Sequence, residues 1–279
     1  VQGFVVLNPD ELGQDPAAGM DLAVALGVGH LEIRSAYGSN ALVLDDDRLR
    51  TVRRLADERG LVVAALASPL WKWCRPEATP GRVDSFGFPT RVPDQDRRRW
   101  VDRAISVAGI LGTGRIRVFS HLRVEGALTE TFPDDPLLPY ALERAKAAGV
   151  RLLLENEPVC TIAEPAALLD VLRTHPDMGL WLDLGNLHEV GHGTAGAVDA
   201  LAPYAEYVHV KDYRPAADGT KHFTAAGSGS VPYGELLAAL HRVRPALPYA
   251  LETHVRDDPA GAITQGAAFL RRTIPGGLA

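Results

Sequence analysis

The chain has 279 residues, 46% of them hydrophobic and 23% charged, which is enough apolar chain for one large buried core in the range of ordinary globular proteins. The net charge of −6 and the lack of any Lys/Arg block exclude the clustered basic surface that a nucleic-acid backbone requires, and the arginine-dense run Asp96–Arg103 includes acidic residues and reads as a solvated helix face. Cys74 and Cys160 stand far apart in neither a metal nor a redox spacing, which excludes a disulfide framework; with no signal-peptide pattern and no apolar run of membrane-spanning length, the expected location is the cytoplasm by default. The first residue is Val rather than Met, so a few native N-terminal residues are expected to be missing.

Taken in order, β-rich runs alternate with helical patterns. Phe4–Leu7 reads as a first strand, Asp15–Leu26 as a helix, and His30–Arg34 as a second strand ending in charge. Asp45–Arg59 places Leu49, Val52, Leu55 and Ala56 three and four apart behind acidic residues, the pattern of an amphipathic helix with a capped N-terminus. Gly60 ends it, and Val62–Ala67 is a third strand. Ser68–Gln95 lacks periodicity, is rich in Pro and Gly, and carries Trp71, Trp73, Phe86 and Phe88; such a loop is expected to be a lid, a binding loop or an oligomer contact. A helix carrying Trp100, Val101, Ala104, Ile105 and Ala108 on one face follows, then a strand over Arg115–Phe119 and a helix over Leu137–Ala148. Arg151–Glu155 is strand five, and Thr161 with Glu164 predicts a capping box for a helix reaching Arg173. Gly179–Asp183, Tyr207–Lys211 and Tyr249–Glu252 are strands six to eight, with a glycine-rich stretch (Ala225–Gly229) and a helix of Tyr233, Leu236, Leu237, Leu240 and Val243 between the last two. A closing helix covers Pro259–Arg272.

Eight β units with helical connections and no composition break predict a (β/α)8 barrel forming one domain over residues 1–279. The alternative, a doubly wound open sheet, lacks a Gly-x-Gly-x-x-Gly after its first strand. In a barrel the strand C-termini converge on one face. Strand five ends at Glu155, strand six at Asp183, strand eight at Glu252, and strand seven carries His209. Singly, each has an ordinary reading: a strand-end salt bridge, a helix cap, a satisfied core histidine. Together they form a set of three carboxylates and one imidazole suited to one divalent ion, Mn²⁺ first, with Co²⁺, Mg²⁺ or Zn²⁺ as alternatives. Like carboxylates at close range cannot all ionise without a cation.

These stretches carry a resemblance. Glu155 in Leu-Glu-Asn-Glu-Pro, Asp183 in Leu-Asp-Leu-Gly-Asn, His209 in His-Val-Lys-Asp and Glu252 in Leu-Glu-Thr-His, with Gly227-Ser-Gly229, resemble the sugar phosphate isomerase/epimerase family of xylose isomerase-like TIM barrels. The resemblance implies that Glu155, Asp183, His209 and Glu252 ligate a metal, and that Glu155 and Glu252 are the catalytic pair. One glutamate removes a proton next to a carbonyl, a metal-stabilised enediolate forms, and the other glutamate returns the proton. The implied substrate is a small sugar or polyol derivative, with no nucleic-acid or membrane partner and a homo-oligomer as one option. The alternative from the same site is a lyase or dehydratase acting on a keto-inositol-like or other keto-sugar, and a non-catalytic binding barrel is a third reading.

Lys211, Asn186, His188 and Glu157 lie near the ligands in sequence as substrate-binding candidates, as do Asp212 and the rim residue His254. Arg34 closes strand two near Glu32, and Lys72 follows strand three; each cation reads either as a substrate contact or as an inter-loop ion pair. Ketulose 3-epimerases carry a His three residues after the ligand Asp and an Arg six after the ligand His, where this chain has Asn186 and Pro215. The family's DNA-repair branch carries a His after strand three, where this chain has Ser68-Pro69.

Overall fold

The computed structural model describes residues 2–81, 87–125 and 130–274. Eight parallel strands close into a barrel in chain order: β1 (Phe4–Leu7), β2 (His30–Ile33), β3 (Val62–Leu70), β4 (Arg115–Val118), β5 (Arg151–Glu155), β6 (Met178–Asp183), β7 (Ala205–Val210) and β8 (Pro248–Leu251), with β8 pairing back onto β1. The alternation of side chains along each strand sorts the apolar residues into two cores. Val6, Leu153, Trp181, Tyr207 and Ala250 fill the barrel interior, while their neighbours Val5, Leu7, Leu152, Leu154, Leu182, Val208 and Leu251 face the helical shell. The shell is α1 (Pro16–Ala25), α2 (Asp46–Asp57), α3 (Asp94–Leu111), α4 (Leu137–Ala147), α5 (Pro165–Thr174), α6 (Leu184–Glu189), α7 (Ala195–Leu201), α8 (Tyr233–Val243) and α9 (Pro259–Thr273).

The helix boundaries follow from local chemistry. Asp45 caps α2 by accepting from the Arg48 amide, and Leu49, Val52 and Ala56 form its buried stripe. Helix α3 stops at Gly112, whose φ of 70° closes the last turn in the left-handed region. The connection from β6 to β7 held no predicted helix, yet α6 and α7 lie there, capped by Asp183 and Thr194. Among the described helices, none is long and apolar enough to cross a membrane.

Two expectations are corrected. The Thr161/Glu164 capping box does not form: Glu164 is itself the N-cap of α5 and makes no side-chain capping bond, while the Thr161 amide and hydroxyl bond the backbone after β4. The segment after Ala67 is not an open aromatic lid. Strand β3 runs on to Leu70, and Trp71, Trp73 and Phe88 are buried. Trp71 stacks on Trp73 at 5.8 Å and meets Phe132 edge-on at 5.5 Å, so the loop packs its aromatics into the main core and buries both indoles. Phe86 lies outside the described residues.

Candidate metal centre

The interior parity that fills the barrel also aims the site. Glu155, Asp183, His209 and Glu252 each lie two residues beyond a floor residue (Leu153, Trp181, Tyr207 and Ala250), so all four point inward one layer above it. Register brings Asp183 directly beside His209 across β6 and β7. One ligand atom from each of the four lies within 4.8 Å of the others, and all four residues are buried.

His209 is held on two sides. Its ring stands edge-on to Trp181 at 4.9 Å, and its Nε2 lies 2.8 Å from Glu32 Oε2, while the other Glu32 oxygen accepts from Asn8. A carboxylate only accepts, so Nε2 carries the proton. The buried Nδ1 has no hydrogen-bond partner and faces Glu155 Oε1 at 3.3 Å, Glu252 Oε2 at 3.4 Å and Asp183 Oδ2 at 3.7 Å. Asp183 is fixed through its backbone: its amide donates to Asn156 Oδ1, its carbonyl accepts from Asn156 Nδ2, and its Oδ1 accepts from the Asn186 amide.

The two glutamates present themselves in similar ways, although only Glu252 receives a hydrogen bond from its arginine and Glu155 Oε2 meets Arg117 as an ion pair alone. Each shows one oxygen to His209 Nδ1 and the other to an arginine: Glu155 Oε2 lies 3.0 Å from Arg117 Nη1, and Glu252 Oε1 accepts from Arg34 Nη1 at 2.8 Å. Lys211 Nζ adds a cation 3.0 Å from Asp183 and 3.3 Å from Glu252. Burial opposes every charge here, and the neighbours outweigh it. Lys211, with His254 and His209, holds Glu252 well below the usual carboxylate range, and Lys211 also holds Asp183 down. Against the same burial, Glu32, Glu252 and Glu155 push His209 well above 6.5, and Asp183 and Glu252 push Lys211 up.

Three carboxylates and an imidazole nitrogen left without a hydrogen-bond partner could hold a divalent cation, and the Glu32–His209 pair would then fix the tautomer that leaves Nδ1 free to bind it. The residues present fit such an ion. Above them a cleft of about 190 Å³ is lined by Glu155, Glu252, Lys211, Asn186, Glu157 and Lys72, with Lys221, Phe223 and His254 on the outer wall. Asn186 Nδ2 is buried without a hydrogen-bond partner.

The remaining candidates fall in different places. Lys72 pairs with Glu157 at 3.2 Å; burial pushes the Glu157 carboxyl up, and Lys72 with Lys211 outweighs it and holds the carboxyl below its usual value. Arg34 is only 3% exposed and spends its guanidinium on Asp10, Glu11 and Glu252. His188 does not line the cleft; its ring faces Tyr213 at 5.9 Å. Asp212 accepts the amides of Gly227, Gly229 and Val231, and so orders the glycine-rich loop. Arg117 and the role of Glu32 escaped the sequence reading. Both signals were present: a charged residue flanked on each side by apolar residues within a strand, Ile116 and Val118 around Arg117 and Leu31 and Ile33 around Glu32.

A closed parallel (β/α)8 barrel with a buried carboxylate–imidazole cluster at its strand ends defines a TIM barrel with a candidate metal centre. The chain belongs to the xylose isomerase-like TIM barrel family, whose model matches residues 20–273. No curated protein matches it in sequence. Similar solved structures include D-allulose 3-epimerase from Methylomonas sp. in complex with D-allulose, at 16% identity and TM-score 0.73, covering 98% of this chain and 97% of that one. The IolI protein with a bound zinc atom shares 14% identity at TM-score 0.75, with 99% of each chain covered. The probable 3-DHS dehydratase AsbF of petrobactin synthesis in Bacillus anthracis shares 14% identity at TM-score 0.69, covering 96% of this chain and 98% of that one. The chain also matches, at 17% identity and TM-score 0.73, a xylose isomerase-like TIM barrel/4-hydroxyphenylpyruvate dioxygenase fusion protein, spanning 46% of its length. At these identities the likeness is one of fold.

Proposed function

We propose that the chain is a divalent-metal-dependent isomerase or epimerase of a small sugar or polyol derivative, with Glu155 and Glu252 as its proton-transfer groups. The observation that carries this reading is the matched presentation of the two glutamates, each with one oxygen toward His209 Nδ1 and the other on an arginine. A divalent cation at such a centre supplies Lewis acidity to a substrate carbonyl and so eases removal of the neighbouring proton. In this reading one glutamate takes that proton and the other returns one. Return to the same carbon from the opposite face is epimerisation, and return to the next carbon is isomerisation. Both carboxylates are nearly inaccessible to bulk water, at 1% and 4% exposure, which protects the charge that develops on the substrate. Asn186 Nδ2, buried without a hydrogen-bond partner, and Lys211 Nζ, held by Asp183 and Glu252, are the cleft-wall donors assigned to substrate oxygens, and the Lys72–Glu157 pair lines the same cleft.

The test uses protein purified without chelator, its Mn, Co, Mg and Zn quantified, and incubated with ketoses and keto-inositols in D₂O. Deuterium next to a carbonyl in a product of unchanged heavy-atom composition, lost in Glu252→Gln, supports the proposal. A dehydrated product moves the assignment to a lyase using the same carboxylates. A metal-replete protein that exchanges no proton across the panel sinks the isomerase reading for these substrates.

A further inference from the structure

Resting on that reading, we infer that Arg117 is a positioning residue for Glu155, fixing which oxygen of this carboxylate faces the metal centre. Arg117 sits at an inward position of β4, 4% exposed, and reaches the lining of the cleft. Its guanidinium is held on every side. Nε donates to the Ser68 carbonyl at 3.3 Å and Nη2 to the Ala67 carbonyl at 3.2 Å, both on β3. The guanidinium carbon lies 4.6 Å from the Phe119 ring centroid and 5.7 Å from that of Trp181. Ser68 Oγ donates back to the Arg117 carbonyl, tying the two strands at this level. What remains is Nη1, 3.0 Å from Glu155 Oε2. That contact is an ion pair without hydrogen-bond geometry, so Arg117 acts on Oε2 through charge, and Oε1 is the oxygen turned to His209 Nδ1.

The other glutamate gives the contrast. Arg34 donates a hydrogen bond to Glu252, but its charge is shared with Asp10 and Glu11, and Glu252 also meets Lys211 and His254. Glu155 is the one carboxylate that an ion pair gives to Arg117 among the described residues. Losing Arg34 therefore leaves Glu252 other cations, whereas losing Arg117 frees the Glu155 carboxylate to rotate. A planar fork anchored by two carbonyls is a geometric constraint that a lysine reproduces only in part.

The experiment is a double-mutant cycle read by Co²⁺ calorimetry on the full chain, with Arg117→Gln, Glu155→Gln and the combination. Arg117→Gln is expected to weaken Co²⁺ binding about tenfold, the usual scale for an outer-shell partner, and to have no further effect when Glu155 is already Gln. Arg117→Lys is expected to lie between wild type and Gln, and it keeps the cycle interpretable if the Gln variant does not fold. Equal weakening in both backgrounds would mean that Arg117 acts through barrel packing and would overturn the inference, as would undiminished Co²⁺ binding in Arg117→Gln. Deuterium wash-in on the same proteins separates the two layers. A wild type that binds Co²⁺ and shows the coupling, yet exchanges no proton, refutes the proposed reaction and leaves the positioning role standing.

Discussion

Two histidine–carboxylate pairs lie at the strand-end face of this barrel, and they look alike at close range. His209 Nε2 meets Glu32 at 2.8 Å, and His121 Nε2 meets Asp135 at 2.8 Å; both rings are buried, and both leave Nδ1 without a hydrogen-bond partner. The surroundings differ. His209 Nδ1 faces three carboxylates, whereas the nearest acid to His121 Nδ1 is Glu130 at 3.7 Å, already gripped by both Nη atoms of Arg97 and approached by Arg75. The His121 pair borders a cavity of about 320 Å³, larger than the cleft over the candidate metal site, and its Glu130 and Asp94 pair with Arg97. Asp135 also accepts from Trp71 Nε1 and the Leu137 amide, so it ties the loop after β3 to the start of α4. The same dyad is thus part of a candidate metal site where it faces three carboxylates, and a tie between the loop after β3 and the start of α4 where the neighbouring acid is held by arginines.

The sharpest way to break this comparison is to disable each histidine. Asp183→Asn or His209→Asn is expected to abolish stoichiometric metal binding and to lower proton exchange by on the order of 10³, measured by metal analysis and deuterium wash-in. His121→Asn should leave metal stoichiometry at the wild-type value and instead cost about 2 kcal/mol of stability in denaturant titration, because Asp135 loses a buried partner. A metal-free His121→Asn protein would collapse the distinction between the two pairs.

Replacing the carboxylates is the next step down. Glu32→Gln is expected to weaken Co²⁺ binding 10- to 100-fold by calorimetry with only modest loss of stability. Asp135→Asn should do the reverse, lowering stability by about 2 kcal/mol with Co²⁺ affinity unchanged.

The two regions also respond to pH with opposite sign. His209 is pushed well above 6.5, burial opposing and Glu32, Glu252 and Glu155 outweighing it. The raised value means that the ring of the metal-free chain carries a second proton, on Nδ1, which a metal binding there would displace. Co²⁺ affinity is expected to rise about tenfold per pH unit until the His209 value is passed. In the metal-free chain the stabilisation from charged His209 is full below 6.5 and is lost as pH rises through the raised value. Asp135 is held below 3.8: burial works against its charge, and His121, the Leu137 amide and Trp71 overcome it. Its contribution is full above about 4 and is lost as pH falls through the lowered value, which acid unfolding with and without Asp135→Asn would read. The smallest effect belongs to Trp71→Phe, which removes one of three donors to Asp135 and is expected to cost about 1 kcal/mol while leaving metal binding intact.

Much of the site could be read along single strands. Leu-Leu-Leu-Glu155, Leu-Trp-Leu-Asp183 and Ala-Leu-Glu252 are apolar runs ending in a carboxylate, and the two-residue alternation that buries Trp181 and Tyr207 inside the barrel also aims Asp183 and His209 inward. The fold was legible for the same reason: strand and helix periods are local, and their regular alternation along 279 residues leaves few architectures. The aromatic loop after Ala67 misled because composition reports apolar area without saying what covers it. Only the folded chain puts Phe132 against Trp71 and Asp135 on its indole nitrogen. Partners were likewise beyond the sequence. Glu32 meets His209 across 177 residues and Arg34 meets Glu252 across 218, contacts that exist because β8 closes onto β1 and brings the ends of the chain together. Local periodicity therefore determined the barrel and which residues face its mouth. Register, closure and the balance of charge around each group, which no short stretch of chain contains, decided which of them hold one another and which gather into the candidate metal site.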